Sequence, residues 1–171
     1  METETYSGKI IKITEEKIDE ITWERAYLPH GVIVFPITRE GKIILIREKR
    51  PHENPPSRIK PVSGILEKVL GSSEENALRE MQEEIGLSAR RIELFWTLKS
   101  TGTVNNEQHF FLAEDLYPSK LHNPDGEDSI QEILEFTPEE VLKLLLEDKL
   151  RWSMSTLGIF RLLHRLGKLP K

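Results

Sequence analysis

Three glutamates in the stretch REMQEEIGL, residues 79–87, have the types and spacing to do chemistry: Glu80, Glu83 and Glu84. A helical residue advances about 100°. With Glu80 set at zero, Glu83 falls near −60° and Glu84 near +40°, so the three carboxylates share an arc of about 100°. The plainer reading is a solvated acidic face, because exposed like-charge pairs at this spacing cost only about 0.2–0.5 kcal/mol each. The sharper reading is a divalent-cation site. Hard ions such as Mg²⁺, with Mn²⁺ as the alternative, take carboxylate oxygens, keep several waters and bind phosphates alongside them.

The elements around this stretch are punctuated clearly. Ser72 and Glu75 have the spacing of a capping box. Ala77, Leu78, Met81 and Ile85 line one helical stripe, and Gly86 suits the left-handed position that ends a helix. The acidic arc therefore lies beside a core-facing stripe. Upstream, residues 5–27 alternate partly in β fashion, which predicts two short strands, paired as a hairpin. GVIVFPI, residues 31–37, is a continuous apolar run, as in a strand buried on both faces. A TREG turn and the strand 42–50 follow, and the two strands read as a hairpin. PHENPPS, residues 51–57, is a loop, since its prolines remove donors and fix φ. RIKPVSG is a short extended piece ending at Gly64. Residues 92–100, 107–116 and 130–136 read as strands, separated in part by a polar loop at 118–129. Thr137, Pro138 and Glu140 open a second helix running to about Leu150. A last helix is predicted over 155–166. Strands, helix, strands and two helices give an α+β class, a mixed α/β/α sandwich.

The chain as a whole limits its partners. It has 171 residues, 37% hydrophobic and 31% charged, with a formal net charge of −5. That is an ordinary folded composition and a poor one for non-specific nucleic-acid binding. Cysteine is absent, which excludes disulfides and thiolate metal sites and permits a reducing compartment. The opening METETYSGK has no apolar leader core, and no run reaches the roughly 18 apolar residues of a membrane span. The expectation is a cytoplasmic protein with no membrane partner.

Residues 64–87, GILEKVLGSSEENALREMQEEIGL, resemble the Nudix box, the signature of the Nudix hydrolases. Arg79, Glu80, Met81, Glu83, Glu84, Gly86 and Leu87 match its second half at every defined position. The first half departs from it. Gly64 and Arg79 are one residue further apart than in the family, and the family's early Glu falls near Gly71 or Ser72. That Glu typically pairs with the box Arg; Glu67 and Glu74 are the substitutes within reach.

The resemblance extends to the ADP-ribose and nucleotide-sugar pyrophosphatase branch. A strand ends in Pro36, the next ends in the Arg47/Arg50 pair, and the approach to the box contains Pro and Gly. In place of the branch's Glu-Leu-Pro-Ala-Gly stands Lys60-Pro61-Val62-Ser63-Gly64. The loop 100–107 lacks the Ser-Pro-Gly of many ADP-ribose enzymes, while Glu107 matches an acidic residue of the branch. The resemblance implies a Nudix fold over 29–171, with an N-terminal β extension at 1–28 forming a homodimer.

It also implies chemistry. A diphosphate linkage resists water because its negative charge repels hydroxide. Divalent ions neutralise that charge and lower the pKa of a bound water. By resemblance Glu80 and Glu84 are the principal metal ligands, Glu83 is a ligand or water-positioning base, and the Ser63 carbonyl is a backbone ligand. Among the loop acids Asp125, Glu127 and Asp128, Glu127 is taken as the general base, against the plainer reading of a solvated loop. Arg47 and Arg50, with Arg25 more remotely, are candidates to clamp phosphates. Trp23 or Tyr27 is a candidate to stack on the base, against core or dimer contact. Glu107 completes the substrate-binding set. The five histidines show no ligand spacing, and Trp152 and Phe160 read as C-terminal packing.

The expected reaction is hydrolysis of the pyrophosphate bond of ADP-ribose or a nucleotide sugar, giving a nucleoside monophosphate and a sugar phosphate. Two rivals stand beside it: a non-catalytic nucleotide-binding module, and a Nudix enzyme for a dinucleotide, a coenzyme or a nucleoside triphosphate.

Overall fold

The computed structural model describes residues 1–123 and 129–169. Three antiparallel strands come first: β1 (Thr3–Ser7), β2 (Lys12–Ile18) and β3 (Ile21–Tyr27). This meander has one strand more than the alternation predicted. It continues into the main sheet where Ala26 and Tyr27 pair in parallel with Val104 and Asn105.

The main sheet runs β1-β2-β3-β9-β4-β7, with β8 on the other edge of β9. Its further strands are β4 (Gly31–Pro36), β7 (Val62–Ile65), β8 (Leu87–Ser100) and β9 (Val104–Pro118). A second sheet has the order β10-β5-β6, from β10 (Ile130–Phe136), β5 (Ile43–Lys49) and β6 (Ser57–Lys60). The helices are α1 (Ser73–Glu84), α2 (Pro138–Leu146) and α3 (Ser153–Arg165).

β4 is buried along its whole length, as its apolar run requires. The expected β4–β5 hairpin is not formed. The two strands meet at one isolated bridge, Ile37 with Ile43, and belong to different sheets. The reason is occupancy. β4 already pairs with β9 on one edge and β7 on the other, so β5 takes β10 and β6 instead.

Alternation along β4 and β5 divides the core. Val32, Val34, Ile44 and Ile46 pack with Ala77, Met81 and Ile85 of the α1 region. Ile33, Phe35, Ile43 and Leu45 pack with Val141, Ile159, Leu162 and Leu163 on the α2/α3 side. Full burial of each Val, Leu, Ile, Phe or Met side chain among these contributes about 1.5–3 kcal/mol. α3 approaches the sheet closely at Gly158, where a Cβ would meet the Phe110 ring at 2.6 Å.

Local signals set the helix ends. Ser72 Oγ accepts the Glu75 N–H and the Glu75 carboxylate accepts the Ser72 N–H. Thr137 and Glu140 repeat this reciprocal cap. Gly86 has φ +68 and closes α1. α2 stops at Leu146, short of the expected Leu150, because Asp148 adopts a left-handed conformation at φ 53. Among the described residues no helix is long and apolar enough to cross a membrane.

Candidate active site

The C-terminal half of α1 forms one wall of a cleft of about 730 Å³. Glu80, Glu83 and Glu84 all line it, and Ser63 and Gly64 of β7 face them. Gly64 is required by close approach: a Cβ there would collide with the Glu80 carboxylate. Basic side chains also line the cleft: Arg50 after β5, and Arg58 and Lys60 of β6. Trp152 and Met154 supply an apolar side, with the Arg58 guanidinium 5.2 Å from the Trp152 ring centre.

Each carboxylate has a different setting. Glu84 is mostly buried, its side chain 9% exposed. Its Oε2 accepts the Ser63 N–H at 3.0 Å and its Oε1 accepts Lys60 Nζ at 3.0 Å. Burial pushes its carboxyl above the ordinary range, against the opposing pull of Lys60 and the Ser63 N–H. Glu83 is also buried. Its Oε1 lies 2.8 Å from Arg79 Nε, yet makes no aligned hydrogen bond. Its backbone carbonyl accepts Lys120 Nζ at 3.1 Å. Glu80 lies over the Gly64 backbone. Among the described residues no three or more Asp, Glu or His side chains are already gathered closely enough to hold a metal ion.

Of the residues singled out in the sequence, the structure brings Ser63, Glu80, Glu83, Glu84 and Arg50 to one cleft. Others point elsewhere. Arg47 donates to Glu132 of β10 at 2.7 Å. Arg25 pairs with Glu16 and Glu2 within the N-terminal meander. Trp23 is half exposed on β3, and the Tyr27 hydroxyl donates to Glu2. Glu107 pairs with Lys99 and His109. None of these lines the cleft. Asp125, Glu127 and Asp128 lie outside the described residues; the residues flanking them, Asn123 and Ser129, both line the cleft and bond to each other at 3.2 Å. Trp152 is a cleft wall as well as a packing residue, and Phe160 is half exposed rather than packed.

Several contributors were not visible in the sequence. Glu48 of β5 accepts Arg50 Nε at 2.6 Å and Arg58 Nε at 3.4 Å, and lies 3.4 Å from Lys60 Nζ. It orders the basic wall. Asn76 answers for the irregular first half of the box. It is buried, and its side chain binds both the N–H and the carbonyl of Glu67, at 3.0 and 3.2 Å, and the Ser72 carbonyl at 2.9 Å. One amide thus pins both ends of the lengthened 67–72 loop. Glu67 lines the cleft, whereas Glu74 is exposed. The box arginine Arg79 pairs with Glu83 and with neither expected substitute.

A model of the NUDIX domain matches residues 28–156. The chain belongs to the Nudix family. It is 34% identical over 150 residues to an ADP-ribose pyrophosphatase of Bacillus subtilis (strain 168), covering 82% of this chain and 78% of that protein. It is 28% identical over 169 residues to a methanol dehydrogenase activator of Bacillus methanolicus, covering 90% and 85%. A solved ADP compounds hydrolase superimposes with a TM-score of 0.79 over 99% of this chain and 95% of that one, at 19% identity. The α+β Nudix architecture expected from the box is therefore the fold observed. As a Nudix pyrophosphatase, the chain is a hydrolase of phosphoric anhydrides.

Proposed function

We propose that this Nudix enzyme hydrolyses the pyrophosphate bond of ADP-ribose or a nucleotide sugar, with the help of a divalent cation such as Mg²⁺ or Mn²⁺. One observation carries the reading: the acidic edge of α1 and the basic side chains Arg50, Arg58 and Lys60 line one cleft large enough for a nucleotide. The 34% identity to an ADP-ribose pyrophosphatase supports the substrate class.

The reaction adds water across P–O–P. One P–O bond forms to the water oxygen, one breaks to the bridging oxygen, and two phosphate monoesters leave. The metal-holding residues in this reading are Glu80, Glu83 and Glu84 with the Ser63 carbonyl. The buried Glu83 Oε1, without an aligned hydrogen bond, and the Glu80 carboxylate over Gly64 suit that role. A bound divalent ion would neutralise phosphate charge and acidify a water. Arg50 and Arg58 receive the phosphates, since a guanidinium pairs bidentately with phosphate oxygens, and Glu48 keeps both oriented. Trp152 and Met154 offer the nucleobase an apolar surface. Glu127 takes the proton of the attacking water; the cleft position of its flanking residues supports this assignment.

The reading includes a homodimer through the N-terminal meander. Tyr6, Ile10, Ile11, Ile18, Ile21 and Trp23 expose apolar surface there.

Phosphate release by an added phosphatase tests the substrate class. The panel holds ADP-ribose, nucleotide sugars, a nicotinamide dinucleotide and nucleoside triphosphates, each with and without Mg²⁺. Preference for ADP-ribose or a nucleotide sugar is expected. Preference for a triphosphate would overturn the reading.

A further inference from the structure

We propose that the Lys60 ammonium is a resident cation that takes the place of one divalent ion in the cleft. The unliganded site then holds a single divalent ion, at Glu80 and Glu83. The proposal rests on the metal-assisted reading given above.

Lys60 is the last residue of β6, held in register by pairing with Ile46 of β5. Pro61 then breaks the strand, and β7 turns Ser63 back toward the same side chain. Lys60 is 2% exposed. Its Nζ lies among four oxygens: Ser63 Oγ at 2.9 Å, Glu84 Oε1 at 3.0 Å, Ser63 O at 3.3 Å and Glu48 Oε1 at 3.4 Å. Two carboxylates, a hydroxyl and a carbonyl form the all-oxygen donor set that a hard cation takes. The distances are those of an ammonium, well beyond the roughly 2.0–2.1 Å of Mg²⁺–oxygen contacts.

The charges agree with this assignment. Removing an ammonium from water is costly unless opposite charge and hydrogen bonds meet it, and here both are present. Lys60 engages two of the groups assigned to metal, the Glu84 carboxylate and the Ser63 carbonyl. Glu83 pairs instead with Arg79, and Glu80 lies against Gly64. Lys60 thus answers Glu84 alone among the three carboxylates, and Glu80 and Glu83 line the cleft beside it. A tethered cation costs no ion binding and stays in place without substrate. It also presents positive charge on the wall that Arg50 and Arg58 share.

The test counts ions. Mn²⁺ titration of the full chain, read by the electron paramagnetic resonance of free Mn²⁺, gives the stoichiometry without reference to turnover. One Mn²⁺ per chain is expected for the wild type. Lys60→Gln removes the charge and is expected to bind a second ion; Lys60→Arg keeps the charge and is expected to remain at one. Circular dichroism checks that the variants fold. Two ions bound by the wild type would overturn the proposal whether or not the variants fold, and so would an unchanged count in a folded Lys60→Gln chain. Either result with hydrolysis intact leaves the proposed function standing. A second ion gained by Lys60→Gln, with no hydrolysis of any panel substrate by the wild type, would overturn the proposed function and support the resident cation.

Discussion

Lys60 Nζ and Glu84 Oε1 lie 3.0 Å apart in a nearly solvent-free pocket between β6 and α1. The pair joins the basic wall of the cleft to its acidic edge. It also gives Glu84 a partner within the protein, in place of the metal ion that the Nudix box suggests for it.

Glu84→Gln should therefore lose both activity and stability. It leaves the Lys60 ammonium short of one of its two carboxylates, a loss of about 3 kcal/mol or more, read as a lower urea midpoint at unchanged m. Glu80→Gln removes a carboxylate that Lys60 does not use, and should lower kcat by about 10²-fold, roughly 2.7 kcal/mol in the barrier. A wild-type urea midpoint for the Glu84→Gln chain would contradict the stabilising role given to the Lys60 pair.

Asn76→Ala should loosen the lengthened loop. The substitution strips partners from the Glu67 N–H and the Glu67 and Ser72 carbonyls. The expected cost is about 1–3 kcal/mol. Amide exchange at Glu67 should quicken in the variant. Wild-type protection at Glu67 would show that the loop is held by something else.

Glu127→Gln should lower kcat by about 10²–10⁴-fold if its carboxylate is the base, since general-base catalysis contributes that much. KM should change little, and circular dichroism should match the wild type. An unaltered kcat would remove Glu127 from the mechanism and turn attention to Asp125 and Asp128.

His109 gives a pH prediction. Burial lowers its pKa below the usual imidazole value, outweighing the Glu107 carboxylate 3.2 Å away, while nearby His30 and Lys99 lower it further. The folded chain thus favours the neutral ring. The associated stability is complete above the ordinary imidazole pKa and is lost as pH falls through the depressed folded value. Urea unfolding between those two values should become less favourable with rising pH, and His109→Gln should flatten that slope. A His109 NMR midpoint above about 6.5 would contradict the burial argument.

How much of this was legible in the sequence depended on distance along the chain. The α1 cap was readable because Ser72 and Glu75 are neighbours. The Glu80, Glu83 and Glu84 arc was readable because helical geometry alone brings those residues together. The β4 run announced burial on both faces, but its true partners, β9 and β7, lie across other elements, so the nearer strand β5 was wrongly paired with it. Lys60 showed only as an odd residue before the box, because its partners Glu48 and Glu84 belong to β5 and α1. Arg47 and Arg50 looked equivalent in sequence. The structure gives Arg47 to Glu132 and Arg50 to the cleft.

The central claim is metal-assisted hydrolysis of a pyrophosphate bond at this cleft. Chromatography of ADP-ribose incubated with the wild-type chain, in Mg²⁺ and in excess chelator, tests it most directly. The account predicts AMP and ribose 5-phosphate in equal amounts with Mg²⁺, and neither with chelator. Equal turnover in chelator, or no nucleoside monophosphate from ADP-ribose or any nucleotide sugar while the chain is folded, would contradict it.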